Sequence, residues 1–435
     1  MDYNEMLHKS LLFYEAQMSG ELPDGQRIPW RGDSNIKDGC SAGKDLSGGW
    51  YNGGGEVKTT SLIAFTTTLL AWGAIDYGNA YEAAGEMDKV LQQIRWAANY
   101  LIKCHTGLNE LVVQVGKYKS AQGGWTRPED NNGLDRPMFT ITSTQPGSDA
   151  AADVSAALAA SSILFNQSDP VFAALCLQHA RQLFVFADTH RGVSSAAIPR
   201  SFTRYYSYSG AEDELAWAAV WLHKATRESD YLDRAQTFHG DITNHRNIFF
   251  WDDKTKGVEI LLAKATNSRR YKTPVLAFAN WLQTSTYKIP GGMVWLNYRG
   301  ANMHTANVAF LSLQAAELAD RESDTLCFLN FSTTQLGFLT GSRSSQGYVV
   351  GLGLNSPRNP HHRASSCPPE PAACSRDAIS QGSTNAHVLY GALVGGPDQF
   401  GRYVDRASDY LRNEVAIDFN AGFQSLVAGA KHWEM

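Results

Sequence analysis

The sequence predicts a large all-α protein. Apolar residues recur at spacings of three and four through most of the chain, which is the period of an amphipathic helix. Alternation of apolar and polar residues, the pattern of a half-buried strand, is confined to short stretches. Helices of about 12 to 20 residues without interleaved strands argue against a doubly wound sheet and favour a closed or layered helical array.

The predicted helices follow one another along the chain. The first covers about residues 4–18, and a polar, glycine-rich segment through Gly55 follows it. The other helices are predicted at about residues 60–77, 82–104, 149–165, 169–188, 211–225, 229–239, 270–286, 303–319, 321–336 and 405–430. Leu111 to Gly116 and Gly347 to Gly353 are the best strand candidates. Because no linker interrupts this pattern, we expect one domain over residues 1–435.

Charge and hydropathy exclude several classes of partner. The net charge of -5 and the pI near 6.2 provide no basic surface, so we expect neither nucleic acid nor an anionic membrane as a partner. No apolar run reaches about 18 residues, and the N-terminus is too polar for a signal peptide. The chain is therefore either cytosolic or a mature form that lacks its leader.

The cysteines favour the second alternative. Cys367 and Cys374, two of six cysteines, flank a proline-rich hexapeptide that a local disulfide would close. Metal binding is the rival interpretation, but no CxxC or HxxxH spacing accompanies these cysteines. Glycosylation sequons begin at Asn166 and Asn330. We therefore expect a secreted, extracellular protein.

Aromatic and polar residues gather in the predicted loops. Five such clusters occur: Trp30 to Asp33, Trp50-Tyr51, Trp125 to Asp130, Tyr205 to Tyr208, and Asn359 to Arg363. Aromatic rings stack on sugar faces, and Arg, Asp and His side chains bind sugar hydroxyls. The clusters therefore indicate carbohydrate binding, although each Trp taken alone is equally well explained as a buried anchor beneath its loop.

Four segments carry a resemblance to one known family: Trp50 to Trp72, Glu212 to Trp217, Gly353 to Pro368, and Tyr403 to Ala421. Together they resemble glycoside hydrolase family 9, the inverting endoglucanases, and in particular the secreted invertebrate cellulases. The last two contain Pro360-His361-His362-Arg363 and Asn413-Glu414-Val415-Ala416-Ile417-Asp418, which fit the two active-site signatures of the family. The resemblance extends from about Tyr3 to Ala430.

The resemblance implies a single-domain (α/α)6 barrel whose cleft is built by loops at one end. It also implies that Glu414 is the general acid, that His361 and Arg363 hold sugar hydroxyls, and that Asp405 is the second acidic residue of its signature. Further substrate contacts are expected from these residues: Trp50, Tyr51, Asn52, Trp125, Arg127, Tyr206 and Trp217. Cys367 and Cys374 match the local disulfide of animal members. The implied partner is an oligo- or polysaccharide bound by a monomer.

One motif departs from the family. Where the family reads Trp-Tyr-Asp-Ala-Gly-Asp-His-Val-Lys, this chain reads Trp-Tyr-Asn-Gly-Gly-Gly-Glu-Val-Lys over residues 50–58. The two aspartates that hold and deprotonate the attacking water therefore fall on Asn52 and Gly55. Neither residue can act as a base, because the Asn52 side chain is an amide and Gly55 has no side chain. The departure predicts that standard inverting hydrolysis is lost and that the protein is a non-hydrolytic or repurposed carbohydrate-cleft protein.

An active enzyme is the alternative. Glu56 or Asp405 would then replace the missing base, or the cleft would catalyse a different reaction with Glu414. Against Glu56, neighbouring residues of an extended segment point to opposite sides, so its side chain is expected to leave the cleft and to be solvated or structural.

Cofactor and nucleotide chemistry has little support in the sequence. Gly53-Gly54-Gly55 lacks the Gly-Lys-Ser/Thr ending of a phosphate loop, and no Gly-x-Ser-x-Gly elbow supports a Ser-His-Asp triad. No cofactor is expected to be required. The resemblance does allow a structural calcium ion, to which Asp252-Asp253 or Asp213 would contribute.

Overall fold

The computed structural model describes residues 1–118, 124–131, 136–205, 207–380 and 382–434. Its helices, in chain order, are α1 (Tyr3–Ala16), α2 (Thr60–Asp76), α3 (Gly78–Ala84), α4 (Met87–Cys104), α5 (Ser148–Phe165), α6 (Pro170–Thr189), α7 (Glu212–Thr226), α8 (Ser229–Asp241), α9 (Thr255–Thr266), α10 (Arg269–Thr284), α11 (Ala301–Ala316), α12 (Glu322–Thr340), α13 (Arg363–Ser366), α14 (Tyr410–Asn413) and α15 (Ile417–His432). Short 3₁₀ helices lie at Cys40–Ala42, Pro128–Asn131, Ser194–Ala197 and Arg376–Ile379.

Six of these helices form a closed inner ring. In order around the ring they are α2, α5, α7, α9, α11 and α15, and α15 packs against α2 to close it. Five of the outer helices, α4, α6, α8, α10 and α12, each pack against two neighbours of the ring, and α1 packs against α15. The predicted (α/α)6 barrel is therefore confirmed.

Composition explains which helices lie inside. Every residue of α11 is buried, and α5 is rich in alanine and serine, so neighbouring helices can approach it closely on all sides. The outer helix α4 is instead amphipathic, with Val90, Ile94, Ala97 and Leu101 buried on one face. The outer helix α6 is long and apolar enough to cross a membrane by length and composition alone, but its buried face packs against α5.

A small antiparallel sheet lies beside the barrel. Its order is β1 (Lys58–Thr59), β2 (Glu110–Val115) and β3 (Met138–Thr142). Lys58 pairs with Val115, and Leu111 pairs with Ile141. The predicted strand at 111–116 is thus confirmed, whereas β1 and β3 were not predicted because their flanking segments carry little alternation.

Several element predictions need correction. The stretch 82–104 is divided between α3 and α4 because Gly85 adopts a positive φ. The stretch 347–353 forms only an isolated bridge, from Val349 to Leu393, and not a strand. Helix α9 was not predicted at all.

The largest correction concerns residues 405–430. They do not form one helix, because Glu414–Ala416 are extended between α14 and α15. The helix is interrupted because the backbone of this segment makes contacts with other loops: the Gly395 amide donates to the Glu414 carbonyl at 2.8 Å, and Val415 pairs with Val394. These partners replace the helical hydrogen bonds that the segment lacks.

Lys58 is a buried charge at the junction of the sheet and α2. Its ammonium group is fully enclosed, lies 2.7 Å from Asp38 and donates to the carbonyls of Leu46 and Gly48 at 2.7 and 2.9 Å. Burial lowers the pKa of Lys58 to about 8, although the Asp38 carboxylate opposes the shift. Asp38 is shared with Arg136 at 3.1 Å, so three buried charges stabilise the segment that precedes α2.

We predict that Lys58→Met lowers the free energy of unfolding by about 3–5 kcal/mol, because it leaves buried carbonyls and part of the Asp38 charge without a partner. Urea denaturation monitored by circular dichroism measures the change. Lys44→Met is the matched control: Lys44 pairs with the partly exposed Glu110, so its loss costs less than about 1 kcal/mol. Equal effects of the two substitutions would contradict the prediction.

Candidate functional site

The loop 48–58 is joined by its backbone to the two segments that carry the other candidate catalytic residues. The Ile417 amide donates to the Asn52 carbonyl at 2.8 Å, and the Arg363 amide donates to the Gly54 carbonyl at 3.0 Å. Gln17 donates its side-chain amide to the Gly53 carbonyl at 3.0 Å. The loop therefore has a fixed position between the segments of Arg363 and Glu414.

Two glycines permit this close approach, and a third has a different environment. A Cβ atom on Gly53 would overlap the carbonyl oxygen of Val415, and one on Gly54 would overlap the carbonyl oxygen of His361. A Cβ atom on Gly55 meets no atom within 4 Å. Packing thus requires glycine at 53 and 54, whereas position 55 has room for a side chain.

These segments enclose a cavity of about 690 Å³. Five of the predicted site residues line it together: Glu56, Trp125, His361, Arg363 and Glu414. Among the lining residues that the structure describes, Glu56 and Glu414 are the two carboxylates. The cavity therefore combines two acids with an aromatic ring and polar side chains.

Glu414 occupies the interruption between α14 and α15. Its backbone is held beside His361, whose amide donates to the Asn413 carbonyl at 2.7 Å. Burial raises the pKa of Glu414, and the positive charges of Arg204 and Arg299 only partly oppose the shift. A raised pKa keeps a carboxyl group protonated closer to neutral pH, which is the state that a general acid requires.

Glu56 also faces the cavity, contrary to the orientation predicted from alternation. The loop is not extended here: the Asn52 amide donates to the Val57 carbonyl at 2.8 Å and closes a turn over residues 52–57. The Glu56 side chain is 14% exposed, accepts from Asn131 at 2.8 Å and lies 3.6 Å from Arg363. Burial raises its pKa, while the charges of Arg136 and Arg363 oppose the shift.

His361, Arg363 and Trp125 form one wall of the cavity. His361 Nδ1 lies 2.6 Å from the Ala407 carbonyl oxygen, so this nitrogen carries the proton and Nε2 is an acceptor in the neutral ring. Burial lowers the pKa of His361 and favours this neutral form. The Trp125 and His361 rings meet edge-on with their centroids 5.0 Å apart, and the Arg363 guanidinium lies over the Trp125 ring, 5.5 Å from its centroid.

The remaining predicted residues lie elsewhere. Trp50 and Trp217 are fully buried in the core, where Trp217 packs against Trp72 and Phe249. The Tyr51 hydroxyl is buried against Ser34 and Asn35, at 2.8 and 2.6 Å. These aromatic residues support the loops from below, as the alternative interpretation of each Trp predicted.

Two polar candidates, Asn52 and Arg127, also make structural contacts. Asn52 is buried; its amide group donates to Thr59 Oγ1 and the Tyr118 hydroxyl at 2.8 and 2.7 Å. Arg127 donates to the carbonyls of Pro368 and Ala372 at 2.6 and 2.8 Å. Tyr206 lies outside the described residues.

Asp405 holds a loop. Its carboxylate accepts from the backbone amides of Arg358 and Asn359 at 2.8 and 2.9 Å, and from the Asn359 side chain at 3.1 Å. The loop 358–359 leads directly to His361 and Arg363. Asp405 is thus placed to position this wall, and it does not line the cavity.

The predicted disulfide between Cys367 and Cys374 is present. Cys40, Cys104, Cys176 and Cys327 are free thiols.

Other lining residues were not predicted. Among them are cationic and phenolic side chains from distant parts of the chain, namely Lys117, Tyr118, Arg136, Arg204, Arg376 and Tyr410. Arg204 directly precedes the predicted cluster Tyr205 to Tyr208, but nothing in the sequence distinguishes it from an ordinary surface arginine. Only the folded arrangement brings these residues beside Glu414.

We predict that Gly54→Ala destabilises the protein by about 1–3 kcal/mol, because the added methyl group overlaps the His361 carbonyl and forces the backbone apart. Gly55→Ala is the matched control and changes stability by less than about 0.5 kcal/mol. Thermal and urea unfolding of both variants measure the difference. A Gly54→Ala variant as stable as Gly55→Ala would disprove the close-approach explanation.

Comparisons with known proteins agree with this geometry. The model of the family described as Glycosyl hydrolase family 9 matches residues 3–427. The chain is 39% identical to Endoglucanase A of Bacillus pumilus over 98% of its own length and 66% of that protein, and 38% identical to Endoglucanase B of Cellulomonas fimi, of which it spans 42%. The solved endoglucanase of the termite Nasutitermes takasagoensis is 43% identical, with a TM-score of 0.96 over the whole of both chains.

A second solved relative has a sugar ligand. The endoglucanase CelQ of Clostridium thermocellum, described in complex with cellotriose, is 32% identical with a TM-score of 0.86 over 98% of this chain and 70% of that one. The barrel, the cavity and these matches lead to one assignment: the chain belongs to glycosyl hydrolase family 9.

Proposed function

We propose that the chain binds β-1,4-linked glucan in this cavity and hydrolyses it, with Glu414 as general acid and Glu56 as a relocated general base. The observation that supports this proposal most strongly is that Glu56 and Glu414 line the same cavity. Two carboxyl groups beside one glycosidic bond are the usual requirement for its hydrolysis. The cellotriose complex of CelQ supports glucan as the ligand class.

The local contacts suit the two acids to different roles. Glu414 is partly buried and lines the cavity, and the described residues form no hydrogen bond to its carboxyl group, so it is free to donate a proton to the glycosidic oxygen. Arg363 and Asn131 favour the ionised form of Glu56, which a base requires, and oppose the burial that raises its pKa. Trp125 offers an apolar surface to the sugar, and His361 Nε2 and Arg363 offer hydrogen bonds to hydroxyls. In an inverting reaction the carboxyl groups of Glu56 and Glu414 stand roughly 6.5–9.5 Å apart, and the attacking water lies beside Glu56.

A non-hydrolytic carbohydrate-binding protein is the second candidate. Two observations favour it: the Asn52 amide is fully occupied by Thr59 and Tyr118, and Gly55 has no side chain. The ion pair with Arg363 also restrains Glu56. Under this hypothesis the cavity binds glucan but activates no water. We assign Asp405 to loop positioning under both hypotheses, because its carboxylate is occupied by backbone amides.

We further propose that the whole chain acts as one extracellular, monomeric domain. The Cys367–Cys374 disulfide supports an oxidising compartment. Membership of glycosyl hydrolase family 9 supports a reaction that needs no cofactor.

A structural calcium ion fits the loop before α9. Asp252 Oδ2 and Ser209 Oγ are buried with no hydrogen-bond partner among the described residues. Oxygen ligands of this kind are those that calcium prefers. Asp213 accepts from the Lys254 amide at 2.7 Å, and Asp253 from Arg246 and Thr255, so these two carboxylates are already partly occupied. Among the three predicted carboxylates we therefore propose Asp252 as the first ligand to test.

We predict that Glu414→Gln and Glu56→Gln each lower kcat on mixed-linkage β-glucan by about 10²–10⁴-fold, because each removes one proton transfer. Glu414→Gln leaves the Kd for cellotetraose almost unchanged, since the shape and polarity of the cavity are retained. Reducing-sugar release and titration calorimetry measure the two quantities.

Glu370→Gln is the matched control for these substitutions, because Glu370 is 64% exposed and lies outside the cavity lining. Full activity of Glu56→Gln would exclude Glu56 as the base. Cellotetraose binding without any release by the wild type would favour the second candidate, and absence of both would overturn the glucan proposal.

We predict that adding Asn52→Asp and Gly55→Asp to the Glu56→Gln variant restores hydrolysis by at least about tenfold, within the range that a positioned base contributes. The structure is compatible with both changes: a Cβ atom at 55 meets no atom within 4 Å, and the Thr59 and Tyr118 hydroxyls can donate to a carboxylate at 52. Gly55→Asp alone is the control for added charge. No recovery, with folding intact, would show that the cavity does not align a glucan for water attack.

A further inference from the structure

We infer that His239, His245 and Glu259 bind a divalent cation of the zinc class at a site outside the cavity that Glu56 and Glu414 line. The site lies where three segments meet. His239 belongs to the last turn of α8, His245 to the loop that follows it, and Glu259 to the second turn of α9. The inference is independent of the proposed hydrolase function.

The ligand atoms already lie close together. One atom from each residue falls within 4.8 Å of the other two. Glu259 Oε1 is 3.7 Å from His239 Nε2 and 3.6 Å from His245 Nδ1. In a tetrahedral zinc site with bonds of about 2.0–2.1 Å, ligand atoms stand roughly 3.3 Å apart. The two Glu259 contacts would contract by a few tenths of an ångström on metal binding, and the exposed His245 can move to bring its ring nitrogen, now within 4.8 Å of His239, to the same separation.

The surroundings of His239 point to a missing partner. Its side chain is 12% exposed, and both ring nitrogens are buried with no hydrogen-bond partner within 3.5 Å among the described residues; the contact of Nε2 with Glu259 Oε1 is longer, at 3.7 Å. An imidazole buried without a close hydrogen bond is costly, because its nitrogens have lost their hydrogen bonds to water. A cation bound to Nε2 would satisfy that nitrogen, while the Tyr271 ring at 5.3 Å fixes the plane of the imidazole.

Glu259 is oriented for the same purpose. Its side chain is 3% exposed, and Lys256 donates to Oε2 at 2.9 Å. This contact occupies one carboxylate oxygen and leaves Oε1 directed toward the two histidines, as outer contacts commonly do for metal-binding carboxylates.

The ligand set favours zinc over calcium or magnesium. Two imidazoles and one carboxylate suit Zn²⁺, whereas Ca²⁺ and Mg²⁺ prefer oxygen ligands alone. Three protein ligands leave a fourth position for water, which the 45% exposure of His245 makes accessible. Since the ligands come from α8, α9 and the loop between them, the ion would link an outer helix to the inner ring.

Zinc titration of the full chain tests the inference. All proteins carry Cys40→Ser and Cys327→Ser, which remove the exposed thiols as competing ligands, and excess Ca²⁺ fills oxygen sites. We expect the protein to bind one equivalent of Zn²⁺ in competition with a chromophoric chelator. We also expect Zn²⁺ to raise the Tm, and bound Co²⁺ to give the visible spectrum of a tetrahedral site. His245→Ala and Glu259→Gln should each weaken Zn²⁺ binding by at least about tenfold.

His190→Ala is the matched control, because His190 belongs to no such group among the described residues. It should bind Zn²⁺ as the parent does. Because His245 is exposed, its replacement should leave the circular dichroism spectrum unchanged, which separates loss of the site from loss of the fold. Equal Zn²⁺ affinity in the parent and His245→Ala, or no binding in the parent at 100-fold excess Zn²⁺, would overturn the inference.

Discussion

The structure of the candidate site depends on the close approach of the loop 48–58 to two other backbone segments. Gly53 and Gly54 have no room for a Cβ atom because the carbonyls of Val415 and His361 lie against them. The Gly54 carbonyl also accepts from the Arg363 amide, and the Asn52 carbonyl from the Ile417 amide. This backbone contact brings residues far apart in the chain into one cavity. Glu56, His361 and Glu414 therefore share a site because glycine permits it.

The same constraint accounts for the interrupted helix at Glu414. In a continuous helix over residues 405–430, the Glu414 amide and carbonyl would form hydrogen bonds within the helix and could not pair with other loops. Instead, residues 414–416 are extended, and their polar groups bond to the loops around Gly53 and Gly395. The inner ring supplies a rigid base, while the loops at one end supply the polar groups. Such a division suits a barrel whose inner helices are almost wholly buried.

Sequence reasoning predicted the barrel and much of the cavity, and its failures have physical causes. Helix periodicity identified most of the ring, and the family signatures led to His361, Arg363 and Glu414. The alternation rule gives the wrong orientation for the Glu56 side chain, because the backbone from Asn52 to Val57 forms a turn and is not extended. Position in a loop or signature segment predicts sugar contacts for Trp50 and Trp217, but both are core residues, because an indole ring also serves as a buried anchor. Arg204 could not be identified, since its proximity to Glu414 depends on the packing of distant loops.

The stereochemistry of hydrolysis tests the relocated-base proposal most directly. Proton NMR of the first products released from a β-1,4-linked oligosaccharide distinguishes the two anomers before they equilibrate. If Glu56 activates water on the face opposite Glu414, the new reducing end appears first as the α-anomer. Initial formation of the β-anomer would show that one of the carboxylates attacks the sugar directly, and it would contradict the assignment of Glu56 as the base.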